Sequence, residues 1–289
     1  MLSRRALLLG GAGVGVAGVA GGVGVVEGVL PGRPFVWERL GLNGEDGVVP
    51  DVEPGPVEQG TFTSAARLGV EVPWWVTTPP GVDPAGLPVV VALHGAGGDS
   101  ALLRGPEYDL PRFLAAAVAD GVAPFALAAA DGGRTYWREQ PDGEDAGAMV
   151  AQELLPLLAE RGLACGPRDR FGLLGWSMGG YGALHLSGLL GPDRVAAVCA
   201  VSAAVDAAGA AGASVMGQQE RLAGIAVRVD CGTADPFYFP TQDYLEGFPD
   251  DVEVVSSFEP GGHDPGYRRR VLPGELAFLG EHLPPATAA

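Results

Sequence analysis

The sequence predicts an α/β protein with a mostly parallel central sheet and helices on both of its faces. Short apolar runs alternate with segments of helical spacing along most of the chain, the order from which crossover connections build parallel sheets. Several of those runs are continuously apolar, as in strands buried on both faces. The glycine-rich stretches that carry histidine, serine and aspartate follow directly on such runs, at the carboxyl ends where open α/β sheets bind ligands. With 289 residues, 47% of them hydrophobic, the chain is long enough to bury a sizeable core.

The first thirty residues stand apart. Ser3-Arg4-Arg5, then leucines and a glycine-softened apolar stretch to Val26, read as a twin-arginine export signal or a membrane anchor. Nine glycines between Gly10 and Gly28 disfavour a soluble helix, since each costs about 1 kcal/mol against alanine. No Ala-x-Ala cleavage site stands out, and the run is nearly long enough to span a bilayer. Both a secreted product and one held on the outer face of the membrane are therefore open. Residues 31–60, with five prolines, read as a linker into a domain over 61–289.

Within that domain, 61–80 predicts an antiparallel hairpin and 87–95 ("LPVVVALHG") a buried strand. Leu110 to Ala119 has helical spacing, 124–133 reads as strand and turn, and Met149 to Arg161 as a helix with Asp145 as N-cap. Strands follow at 171–176, 195–202, 226–231 and 252–258. Helices fall at 178–190, 240–247 and from about 267 to 282. Only about 23 residues separate the strand ending near 202 from the one starting near 226, too few for a large cap domain.

Composition narrows the chemistry. All 18 basic residues are arginine, so Schiff-base, pyridoxal phosphate, Ser-Lys and P-loop mechanisms are excluded. A net charge of −17 argues against nucleic acid as a partner. The one basic run, Arg268 to Arg270, reads as a solvated helix face. Cys165, Cys199 and Cys231 have no metal-site spacing. They leave open one disulfide with a spare thiol, or three buried thiols. No metal or cofactor is expected.

The decisive stretch is Phe171 to Leu184, "FGLLGWSMGGYGAL". Gly-x-Ser-x-Gly alone is weak, because a chain this rich in glycine would contain it by chance roughly one time in four. Context decides. Ser214, in "GASVMG", lies in a small-residue stretch, whereas Ser177 sits between a strand and a helix. A sharp strand-to-helix turn lifts a serine hydroxyl clear of the sheet and aims the helix N-terminus at a developing oxyanion. Gly175 and Gly179 are required there because a Cβ would crowd the turn.

A serine nucleophile needs a base, and the base an orienting acid. His282 ends the last helix, His185 points away two turns past Ser177, and His94 is placed to brace a loop. His263, in the loop "FEPGGHDPGY", is the expected base. Asp235, in "VDCGTADPF", is the expected acid. Asp206 is its rival, Asp264 is too close in sequence to His263, and Asp230 lies inside a strand. The order Ser, Asp, His is that of the α/β-hydrolases. An oxyanion hole is expected from the backbone N–H of Met178 with that of Ala96 or Gly97 in "HGAGGD".

From Thr61 to His282 the chain resembles the putative-esterase family of α/β-hydrolases, which includes S-formylglutathione hydrolases, feruloyl esterases and mycolyltransferases. The likeness rests on Pro79-Pro80, "LHGAGGD", "GWSMGGYGALHL", "CGTADPF" and "PGGHD". It implies Ser177, Asp235 and His263 as nucleophile, acid and base. The stretch 131–158 resembles exported actinobacterial members. It places Tyr136 and Trp137 at the site mouth, and Trp176 beside the nucleophile is a further substrate-contact candidate. Pro265 departs from the family, where tryptophan is usual, and Tyr267 supplies an aromatic two residues later. The expectation is an exported serine esterase with an open site, acting on a small-molecule or cell-envelope ester, with acyl transfer to a sugar or lipid alcohol as the alternative.

Overall fold

A computed structural model describes residues 32–207, 212–250 and 252–286. The segment read as an export signal or anchor lies outside the described residues. Among those described, no helix is long and apolar enough to cross a membrane.

Eight strands form one sheet: β1 (Val57–Ser64), β2 (Val70–Thr77), β3 (Val89–Leu93), β4 (Ala126–Ala130), β5 (Phe171–Trp176), β6 (Val195–Val201), β9 (Ala226–Gly232) and β10 (Val254–Glu259). Their spatial order is β1-β2-β4-β3-β5-β6-β9-β10. The β1–β2 and β2–β4 pairs are antiparallel and the rest are parallel. The opening hairpin thus starts at Val57, four residues earlier than its pattern suggests.

The pleat explains the core. Val89, Val91 and Leu93 point to one face, while Val90 and Ala92 point to the other. On the first face pack α4 (Ala146–Met149), a π-helical segment Val150–Leu154, α5 (Leu155–Ala159) and α6 (Met178–Leu190). On the second lie α3 (Leu110–Ala119) and the long α8 (Pro265–His282). Asp145 caps α4 as expected, accepting from the Ala148 N–H at 2.8 Å.

Three features went unread in the sequence, and one helix that was read starts two residues early. A helix α1 (Arg33–Arg39) occupies part of the supposed linker, a short α2 (Ser100–Arg104) follows the "HGAGGD" loop, and α7 runs from Tyr238 to Glu246 with an earlier start than expected. The connection after β6 holds a separate two-strand ribbon, β7 (Asp206–Ala207) with β8 (Ala213–Ser214), and a 3-10 turn, Gln219–Leu222. Ser214 is therefore a ribbon residue. No large cap is present among the described residues of that connection.

The basic run needs correcting. Arg268 is only 2% exposed, its guanidinium 4.6 Å from the Tyr108 ring, because α8 turns this residue inward against the sheet. Burial lowers its pKa. Arg269 and Arg270 remain on the outer side of the helix.

Candidate active site

Strand β5 ends at Trp176 and α6 begins at Met178, so the whole reversal falls on Ser177, with φ 57° and ψ −117°. A non-glycine residue holds such a backbone only where its surroundings fix it. Here the Ser177 N–H donates to the Val201 carbonyl at 3.0 Å, and its carbonyl accepts from Tyr181 and Ala204 N–H groups, both at 3.1 Å. The two motif glycines answer to close backbone approach. A Cβ on Gly179 would lie 2.0 Å from the Leu93 carbonyl oxygen, and one on Gly175 2.0 Å from that of Gly179.

Asp235 follows β9 in a turn closed by its own N–H to the Gly232 carbonyl, 3.0 Å. The neighbouring N–H of Ala234 donates to Gly261 at 2.8 Å, tying the aspartate turn to the loop that carries His263. The result joins three side chains far apart in sequence. His263 Nε2 lies 3.1 Å from Ser177 Oγ, and His263 Nδ1 lies 2.8 Å from Asp235 Oδ2. The second carboxylate oxygen, Oδ1, accepts the Phe237 N–H at 2.8 Å. Asp235 is buried, while the His263 side chain keeps 29% of its exposure.

Two aromatics hold the imidazole. Trp176 packs on it with ring centroids 4.8 Å apart, and Phe237 meets it edge-on at 5.3 Å. Trp176, 6% exposed, thus backs the imidazole from within the fold. Phe237 was missed in the sequence. Its position two residues beyond Asp235 was the available signal.

The other candidates lie elsewhere. Asp264 caps α8, accepting the Tyr267 N–H at 2.9 Å, and Pro265 takes the first helical position, where its missing N–H costs nothing. Tyr267 is buried in the core. Asp230 is buried and paired with Arg228 at 2.7 Å, and Asp206 is exposed on the ribbon. His185 stacks on Tyr181 at 5.6 Å, and His282 sits at the end of α8. The three cysteines are all buried free thiols, and burial pushes the Cys165 thiol up to about 12.

Trp137 does not line the mouth. It is fully buried, its indole N–H donating to the His94 carbonyl at 3.3 Å, and its ring fills the space where a Gly182 side chain would project. Left-handed backbone at Tyr136 and Trp137, φ 54° and 56°, tucks the indole inward. Tyr136 packs edge-on against Tyr181, 5.6 Å between centroids.

The loop after β3 lies beside Ser177: a Cβ on Gly95 would stand 3.5 Å from Ser177 Cβ. The N–H groups of Ala96 and Gly97 follow at once. Met178, first in α6, has an N–H without an acceptor inside the helix.

No protein-family model and no curated protein sequence matches the chain. Solved structures do. A ferulic acid esterase superposes with TM-score 0.70 at 21% identity, over 80% of this chain and all of the other. An S-formylglutathione hydrolase from Staphylococcus aureus gives 0.65 at 16%, over 78% and 98%. The fold is that of the α/β-hydrolases. A mutant feruloyl esterase module from Clostridium thermocellum, complexed with sinapinate, gives 0.67 at 16%, over 85% of this chain and 98% of that one. In an α/β-hydrolase fold the turn after β5, the turn after β9 and the loop after β10 meet at one rim, where Ser177, Asp235 and His263 stand.

Proposed function

We propose that the chain is a serine carboxylesterase working through an acyl-enzyme on Ser177. The observation that carries this is the unbroken relay from Ser177 Oγ to His263 Nε2, 3.1 Å, and from His263 Nδ1 to Asp235, 2.8 Å. Ser177 Oγ attacks the ester carbonyl as its proton passes to Nε2. The carbonyl π electrons move onto oxygen, held by the N–H of Met178 and that of Ala96 or Gly97. Collapse breaks the bond to the alcohol oxygen, which leaves with the Nε2 proton. Water, deprotonated by the same nitrogen, then attacks the acyl carbon; the bond to Ser177 Oγ breaks, that oxygen takes back the Nε2 proton, and the acid is released.

Hydrolysis is favoured over acyl transfer by the likeness to solved esterases and an S-formylglutathione hydrolase, and the part-exposed His263 admits water to the acyl-enzyme. Small-molecule and cell-envelope esters both suit such a site. The test is Ser177→Ala assayed with a short p-nitrophenyl ester and a fluorophosphonate probe. Hydrolysis and labelling should both vanish; undiminished turnover sinks the mechanism.

Export by the twin-arginine route belongs to the same reading, supported by Ser3-Arg4-Arg5 and the apolar run behind them. Changing both arginines to lysine should trap the protein in the cytoplasm on fractionation. Unchanged export removes the proposal.

A further inference from the structure

A cavity of about 550 Å³ opens beside His263, and one of its walls comes from the segment taken in the sequence for a linker. Glu38, Asn43 and Asp46 line it from that segment, facing His263, Glu107 and Arg269.

The segment is fastened to α8. The Gly47 N–H donates to the Gly266 carbonyl at 2.8 Å, and Arg269 Nε donates to the Gly47 carbonyl at 2.7 Å. Arg270 donates to the carbonyls of Asn43, at 3.4 Å, and of Glu45. Arg33 stacks over Tyr238 and Phe239, 4.5 and 4.9 Å from their ring centroids, and so anchors α1 on α7. Residues 33–47 form a strap along one wall of the cavity beside His263.

Chemistry gives the cavity its side of the reaction. His263 Nε2 hands its proton to the departing oxygen, so the alcohol portion of an ester leaves past this imidazole. Charge then narrows the alcohol. Glu38, Asp46, Glu107 and Asp264 border the cavity against one cation, Arg269, which already donates to the Gly47 and Glu107 carbonyls and lies 3.7 Å from Asp46.

Resting on the esterase reading, we propose that the strap over residues 33–47 forms the leaving-group subsite, and that this subsite takes esters of uncharged or cationic alcohols and turns away those of anionic ones. Thiol and alcohol leaving groups bearing carboxylates fall in the excluded class.

The experiment uses the full chain and three acetate esters: acetylcholine, 2-methoxyethyl acetate and 2-sulfoethyl acetate. Exposed charges several ångströms from the ester give a cation-over-anion ratio in kcat/KM of about tenfold at low ionic strength, shrinking toward unity in high salt. Glu38→Gln with Asp46→Asn should lower that ratio several-fold, mainly through KM. Gly47→Ala keeps every charge but has no room for its methyl, 2.1 Å from the Arg270 nitrogen. It should lift the strap, expose 33–47 to limited proteolysis and erase the preference. Equal rates for the three esters, turnover of none, or a preference that survives both variants overturns the subsite. Fluorophosphonate labelling of Ser177 in the same samples separates the outcomes, because a failure to label condemns the esterase reading itself.

Discussion

Replacing Asp235 with asparagine tests the orienting role proposed for it, and the structure fixes which way the new amide must face. Oδ1 accepts the Phe237 N–H at 2.8 Å, so the amide oxygen has to take that place; an NH₂ there would set donor against donor. The NH₂ then points at His263 Nδ1, where the carboxylate oxygen stood 2.8 Å away. Nδ1 becomes an acceptor, and the ring proton moves to Nε2, the nitrogen 3.1 Å from Ser177 Oγ. A protonated Nε2 cannot take the serine proton. Wrong-tautomer variants of such triads lose about 10⁴ in kcat, equivalent to about 5.5 kcal/mol in the barrier. The assay is steady-state hydrolysis of p-nitrophenyl acetate at neutral pH, with circular dichroism to show that the near-isosteric variant is folded. A loss below tenfold would falsify the tautomer argument, and a larger loss from Asp206→Asn than from Asp235→Asn would reassign the acid.

Three further outcomes follow from packing and burial. Gly179→Ala drives a methyl into the Leu93 carbonyl, 2.0 Å away, and should cost about 1–3 kcal/mol or more in thermal unfolding, along with esterase activity; an unshifted Tm refutes the close approach. Trp137→Ala empties a fully buried site and should cost about 3–5 kcal/mol in urea unfolding, whereas a mere surface aromatic would cost almost nothing. Glu275, fully buried, has its pKa raised by burial first and then by the charge of Asp230, so the folded chain keeps its proton above the ordinary value of 4.5 while the unfolded chain releases it. Stability from this group is therefore present below pH 4.5 and is lost as pH rises toward the folded value. Glu275→Gln should raise Tm more at pH 8 than at pH 5, and an equal shift at both refutes a buried neutral acid.

Much of this was legible because the relevant physics is local. The strand before Ser177, the glycines at 175 and 179 and the apolar helix after it fix a turn that few other sequences satisfy. Asp235 and His263 could be found because each follows a strand in a loop rich in small residues. What the sequence hid was tertiary. Nothing in the Tyr136-Trp137 pair signals which ring turns inward; that depends on left-handed backbone at both residues and on a pocket opened by Gly182 on a distant helix. Arg268 reads like its neighbours Arg269 and Arg270, and only the pitch of α8 against the sheet separates the fully buried charge from the two half-buried ones. Prolines at 31–60 look like a linker because the arginines that clamp the segment lie more than two hundred residues away.

On the proposed mechanism, a buried residue outside the relay shapes the oxyanion side of the site. Gly132 N–H donates to His94 Nε2 at 3.0 Å, so the ring proton of His94 resides on Nδ1 and is donated to the Gly95 carbonyl at 2.9 Å. The His94 carbonyl is held in turn by the Trp137 indole. Desolvation lowers the His94 pKa, which keeps the ring neutral and both bonds intact near neutral pH. One imidazole thereby locks the first residue of the loop that carries the 96 and 97 N–H groups to the turn after β4. Donors fixed before substrate arrives need no reorganisation as charge develops on the carbonyl oxygen, and that is the condition under which such donors contribute most to rate. The histidine that the sequence assigned to bracing and the tryptophan it assigned to the mouth act on the same loop, from inside the fold.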